Sequence, residues 1–277
     1  MTTYPTPEPI RLDVRIPAGR IEIRTAHVSE TSVEVRRLRA GSTDAFPEEV
    51  RQLMRPPRGD GREVLYVAVE QGFRRWSGRD SYEVMVSTPH DADVAASTAS
   101  ASVTGRGRFR SVDVRTASGD VSFEDVTDAA RVKSASGDVA LGRVGASVEA
   151  STTSGDMRIE ATGGELVAAL VSGHLSVGRA DGNVRARTVS GDVSLRSVNR
   201  GRVDVTTVSG DAQINVLPGR RVWMDLVSSS GDTSCELNGF GADSSGPAAT
   251  TDLEIHARAV SGAIRVRAEA PAEGGAN

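Results

Sequence analysis

The chain is poor in three residue types, and each shortage removes a class of protein. It has one cysteine, so Cys235 can form no internal disulfide and cannot by itself build a thiolate metal site. Only 4% of its residues are aromatic, too few for the bulky interior of a helix-packed fold. Lys133 is the only lysine; the other basic residues are arginines, a bias of the kind a GC-rich genome produces. The net charge of −4 provides no field to attract nucleic acid or an anionic membrane, and no nucleic-acid partner is expected. No stretch approaches the roughly 18 apolar residues of a membrane span. The first nine residues, MTTYPTPEP, lack the basic and apolar regions of a secretory signal, so the expected location is cytoplasmic, with a surface location left open.

What is abundant is glycine, 29 in 277 residues, together with Val, Ala, Ser and Thr. These favour thin, regular strands. The decisive feature is an internal repeat. Ser-Gly pairs place Gly119, Gly137, Gly155, Gly173 and Gly191 at a constant spacing of 18, followed at looser spacing by Gly210, Gly231 and Gly262.

Aligned on this glycine, the position two residues later reads Val121, Val139, Met157, Leu175, Val193, Ala212, Thr233 and Ile264, mostly apolar. The position four residues later, from Phe123 and Leu141 to Cys235 and Val266, is apolar as well. Seven residues before the glycine stand Val112, Ala130, Val148, Leu166, Val184, Val203, Met224 and Ile255, and a fourth apolar column lies five before it. Apolar and polar residues therefore alternate with the period of a strand buried on one face.

Each unit reads as two short strands around a Ser-Gly-Asp corner. Neither strand is stable alone; stacking pairs each with its equivalents and merges the inward columns into a core. The fold class is all-β: a single-stranded β-helix or β-solenoid with coils of about 18 residues; the pattern does not fix its hand, for which the twist preference of parallel crossovers favours right over left. Eight coils at about 4.8 Å would extend on the order of 40 Å. A hexapeptide helix is excluded because Thr127, Gly145, Gly163, Asp181 and Asn199 stand where aliphatic residues would be needed.

The expected organisation is a disordered stretch at 1–7, a β-rich region at 8–97 capping the solenoid, repeats over 98–268 with a loop excursion at 238–251, and a disordered tail at 269–277. Within the cap, Ile10 to Ile16, Arg20 to Thr25, Ser32 to Arg37, Glu63 to Val69 and Tyr82 to Ser87 alternate like strands. The segment from Pro47 to Met54 reads as a short helix, with Pro47 in its first turn and Pro56 beyond its end.

The recurring Thr-x-Ser-Gly-Asp-Val units, the segment Ile16 to Ile23 (IPAGRIEI) and Ser87 to His90 (STPH) resemble the bacterial DUF4097 family across nearly the whole chain. The resemblance implies a β-helical fold, an actinobacterial origin and an adhesin-like surface role, with some relatives tied to envelope stress. It implies no catalytic residues.

Several columns bear on function. Asp120, Asp138, Asp156, Asp192, Asp211 and Asp232 line the corner, with His174 interrupting them. Such a ladder has oxygen ligands for calcium, but Ser and Asp beside Gly are turn formers whose side chains satisfy local backbone groups, and that reading is favoured. His27, His90, His174 and His256 are scattered without zinc spacing, so no metal and no cofactor is expected. The basic stretches Gly105 to Arg110 and Arg74 to Trp76 read as solvated loops.

Two residues before the glycine, Val171, Val189, Val208 and Val260 should face outward, as a bend in the coil or as an interaction strip. Two functional classes follow. One is a non-enzymatic scaffold, adhesin-like, binding an unidentified protein or cell-envelope partner or self-associating. The other is a hydrolase or carbohydrate-active enzyme hosted on the β-helix, using carboxylates such as Asp138 and Asp156, which need a suitable separation inside a groove. The absence of catalytic motifs favours the first.

Overall fold

A computed structural model of the chain describes residues 1–38, 50–56, 61–69, 81–237 and 251–268. Every regular element among them is a β-strand. The chain divides into two compact units, Met1–Asp156 and Met157–Asn277.

The first unit contains β1 (Thr2–Pro5), β2 (Arg11–Ala26), β3 (Glu30–Leu38), β4 (Val50–Arg55), β5 (Val64–Val69), β6 (Ser81–Pro89), β7 (Ala92–Thr116), β8 (Val121–Val126), β9 (Ala130–Ser136), β10 (Val139–Val144) and β11 (Val148–Ser154). β10 lies parallel on β8 with Val139 opposite Val121 and Leu141 opposite Phe123, and β11 lies parallel on β9 with Val148 opposite Ala130. These are the columns of the repeat, displaced by one 18-residue coil. The long strand β7 supplies a coil by itself: Val103 pairs with Val121 in β8, and Val112 pairs with Ala130 in β9.

β2 continues this pattern where the sequence shows no period. It runs parallel to β7 from Arg11 opposite Asp93 to Arg24 opposite Arg106, and its other side takes β5 and β6 in parallel. Beyond these the direction reverses: β3 is antiparallel to β6, β1 to β3, and β4 to β5. The cap is thus a layer of antiparallel strands laid on parallel coils. Thr2–Pro5, within the stretch expected to be disordered, form its outermost strand.

The helix expected from Pro47 to Met54 is not present in the described part of that segment, since Val50–Arg55 form β4; residues 47–49 lie outside the described residues. Its Pro and Glu start signals are overridden by pairing with β5 along its whole length, from Val50 opposite Val69 to Arg55 opposite Val64.

The second unit contains β12 (Met157–Thr162), β13 (Leu166–Ser172), β14 (Leu175–Ala180), β15 (Val184–Ser190), β16 (Val193–Val198), β17 (Gly201–Ser209), β18 (Ala212–Val216), β19 (Val222–Ser230), β20 (Thr233–Glu236), β21 (Leu253–Ser261) and β22 (Ile264–Ala268). One parallel ladder runs β12, β14, β16, β18, β22, β20 and the other β13, β15, β17, β21, β19. The last coil in sequence therefore lies between the two before it. β21 has Val203 of β17 on one side, opposite Ile255, and Met224 of β19 on the other.

The interior is built from the predicted columns. Leu166, Val184, Val203 and Ile255 are at most 1% exposed, as are Leu175, Val193, Ala212 and Ile264. Each fully buried aliphatic side chain of this size stabilises by roughly 1.5–3 kcal/mol. An additional inward column, three residues before the glycine, is mostly hydroxylic: Thr116, Ser134, Thr152, Thr188 and Thr207 are buried, with Leu170 and Ala259 at equivalent positions.

Candidate interaction surface

Val171, Val189, Val208 and Val260 occupy the last outward position of β13, β15, β17 and β21 before the corner. Each lies between residues that pair in register, such as Thr188 with Thr207 and Ser190 with Ser209, so the four valines stand side by side on successive strands. Their exposures are 46%, 49%, 44% and 54%. The strand alternation forces this: the buried residues at 170, 188, 207 and 259 point inward, so their successors point out. β13 extends the apolar area, because its other outward residues are Val167 and Ala169. Val227 on β19, 48% exposed, belongs to the same outer face and lies outside the column that the repeat singles out.

Charge borders the valines on that face. Arg202 bonds Asp204 at 3.0 Å and approaches Glu254 at 3.6 Å. His256 lies 3.7 Å from Asp225 and 3.8 Å from Glu254, with the Trp223 ring 5.0 Å away, and Arg258 is 3.7 Å from Asp225. Each of these charges has an opposite neighbour, whereas Arg187, beside Val189 on β15, stands in register with Ala169 and Thr206.

The corner aspartates have a different occupation. In the first unit Asp120 Oδ1 accepts the backbone N–H of Asp138 at 3.0 Å, and Asp138 Oδ1 accepts that of Asp156 at 2.9 Å. In the second unit His174 Nδ1 accepts from Asp192 at 3.3 Å, and Asp192 Oδ1 accepts from Asp211 at 2.8 Å. Asp211 then holds the inserted coil: Oδ1 accepts Ala263 N–H and Oδ2 accepts Arg265, both at 2.8 Å. Those two donors draw the Asp211 carboxyl below the ordinary carboxylate range.

Asp120, Asp138, Asp192 and Asp211 are thus clamps between coils. Asp138 and Asp156 are exposed neighbours on one corner, bonded through backbone, not facing each other across a groove. Among the described residues no three His, Cys, Asp or Glu side chains are placed to hold a metal ion.

The remaining candidates are tied up locally. His90 Nδ1 is 3.1 Å from Thr25 Oγ1 and its ring meets His27 edge-on at 4.5 Å. In the basic stretch on β7, Arg108 makes a bidentate pair with Asp91 at 2.9 Å and Arg110 a bidentate pair with the buried Asp93, so their guanidinium groups are committed to carboxylates. Arg74, Arg75 and Trp76 lie outside the described residues. No helix among the described residues is long and apolar enough to cross a membrane.

Comparison with known proteins bears on this architecture. No curated protein matches the chain. Among solved structures, a "putative adhesin" from Bacteroides fragilis is 12% identical with a TM-score of 0.44, covering 96% of this chain and 95% of its own. A "putative adhesin" from Parabacteroides distasonis is 13% identical with a TM-score of 0.42, covering 95% of each chain. A "putative cell adhesion protein" from Clostridium sporogenes is 11% identical with a TM-score of 0.25, covering 96% of this chain and 98% of its own. The sequence profile of one family matches residues 63–267, well over half of the chain and including all the Ser-Gly corners. The protein is a member of the Toastrack DUF4097 family.

Proposed function

We propose that the protein is a non-enzymatic, adhesin-like interaction module whose valine strip docks a protein of the cell envelope. The observation that carries this reading is the run of Val171, Val189, Val208 and Val260, each 44–54% exposed, on a ladder whose backbone is fixed by its neighbours. An isolated exposed valine means nothing, but a contiguous aliphatic row on a rigid sheet is the surface a partner can dehydrate at little entropic cost. Asp138, one of the carboxylates that a hydrolase would use, is engaged as a backbone acceptor.

The test is affinity purification from cells of the producing organism, envelope fraction included, with the wild type and the Val189→Asp/Val208→Asp double variant. The expected result is an envelope protein retained by the wild type and lost from the variant, with both melting alike. Equal retention by the two would refute the strip. A role in envelope stress, which the family resemblance implies, predicts that deleting the gene sensitises cells to wall-damaging agents.

A further inference from the structure

The terminal coil of the second unit carries a second surface, independent of whatever docks on the valines. Among the described residues, β19 pairs only with β21 and β20 only with β22, so each has an open edge. An open edge presents unpaired N–H and C=O groups, and proteins usually blunt it with proline or charge. The first unit does so: its edge strand β1 ends in Pro5, and its edge strand β4 carries Arg51 and Arg55, with Arg55 over the Tyr66 ring at 4.6 Å.

β19 and β20 are less protected. Their sequences, VWMDLVSSS and TSCE, contain no proline and no basic residue, and both acids are answered from within the chain: Asp225 by Arg258 and His256, and Glu236 by Arg267 at 3.2 Å. The inward columns also end there unfinished. Ile255, Ala257 and Val266 are completely buried, whereas their neighbours Met224 and Leu226 are half-buried and Cys235 is exposed. Among the described residues the edge is therefore unpaired, nearly neutral and apolar on its inner side.

We propose that this edge pairs with the same edge of a second copy, antiparallel, about a two-fold axis passing beside Met224 and Cys235. Those two residues lie across the core from each other, with Cys235 Sγ 4.0 Å from Met224 Sδ, so one axis can pass through both strands. In that register each charge meets a neutral side chain: Asp225 faces Trp223 of the second copy, Arg221 faces its Val227, and Glu236 faces its Ser234. No like charges are opposed, and the match is isologous, so it closes at two copies. Cys235 faces its own equivalent at a strand spacing compatible with a disulfide.

The experiment uses the full chain. Sedimentation velocity from 1 to 100 µM under reducing conditions is expected to show a monomer–dimer equilibrium, and mild oxidation to convert the dimer into a covalent, reducible species through Cys235. Val227→Arg sets one arginine against Arg221 of the other copy on each side of the axis and should weaken dimerisation at least tenfold. Val227→Asp meets the same arginine and should preserve or tighten it. Position 227 is half-exposed, so both variants should melt with the wild type.

A chain that stays monomeric throughout overturns the proposal, as does a dimer that Cys235 cannot link. So does a dimer indifferent to Val227→Arg but abolished by Val189→Asp/Val208→Asp, which would place self-association on the valine strip.

Discussion

Gly191 lies directly on Gly173, so close that a Cβ on Gly191 would sit 1.9 Å from the Gly173 carbonyl oxygen. Its φ of +149° is also one that L side chains rarely adopt. The repeated Ser-Gly corner therefore follows from the approach of one coil to the next. Gly191→Ala should cost at least about 3 kcal/mol, from backbone strain of roughly 1–3 kcal/mol plus displacement of the neighbouring coil. Gly219→Ala is the control: its φ is +80° but nothing lies within 4 Å, and it should cost only about 1–2 kcal/mol. Urea denaturation of the two variants measures the difference.

The aspartate ladder predicts a contrast between isosteres. Asp138→Asn keeps an oxygen for the Asp156 N–H and should be nearly neutral, whereas Asp138→Ala should lose about 1 kcal/mol. Millimolar calcium should leave the melting temperature of the wild type unchanged, because the carboxylates are spent on backbone donors. Calorimetry with and without calcium checks both points.

Acid should loosen the hold on the inserted coil. Asp211 is held below the usual carboxylate range by the Ala263 N–H and Arg265, and Asp252 by the Arg221 N–H, which fastens the inserted coil to the terminal one. A carboxyl depressed in the folded state favours folding above its unfolded value, near pH 4, and that contribution is lost as pH falls through the lower folded value. Stability should thus be flat from pH 7 to about 5 and decline below pH 4. Asp211→Asn should flatten the decline. Hydrogen exchange resolved to residues 253–268 at stepped pH reads this out.

The hydroxylic inner column offers a stabilising change. Thr188 Oγ1 and Thr207 Oγ1 are buried with no hydrogen-bond partner among the described residues, and Leu170 shows that the column accepts an apolar side chain. Replacing an unsatisfied buried hydroxyl by methyl removes a desolvation cost of about 1–3 kcal/mol. Thr188→Val with Thr207→Val should raise the denaturation midpoint; a lowered midpoint would mean those hydroxyls are satisfied after all.

The columns were readable because a stacked coil repeats its own environment. The alignment that sets Val184 over Val203 and Leu195 over Ile214 in sequence is the register found in space. The order of coils was not readable. Ile255 and Met224 fit one column equally well, and nothing in a column says which strand lies next to which, so the insertion of β21 between β17 and β19 became visible only in the fold.

The N-terminal strands escaped for a related reason. Ile21 belongs over Val103, but the intervening cap strands erase the 18-residue spacing that would reveal it. At β4, local start signals for a helix were outweighed by a partner strand. The exposed valines were legible from alternation alone, whereas Val227 was not, since its place beside them depends on the coil order.

The architecture turns on coils stacked corner over corner with the last one inserted. The most direct test is disulfide trapping at the serine corner in a Cys235→Ser background. Ser261 is in register with both Ser209 and Ser230. Neighbouring strands are about 4.8 Å apart, within disulfide reach, whereas alternate strands are about 10 Å apart and beyond it. The pairs Ser209→Cys/Ser261→Cys and Ser230→Cys/Ser261→Cys should oxidise readily, and Ser209→Cys/Ser230→Cys should not. Ready linkage of the last pair, with failure of the first two, would contradict the stacking described for this chain.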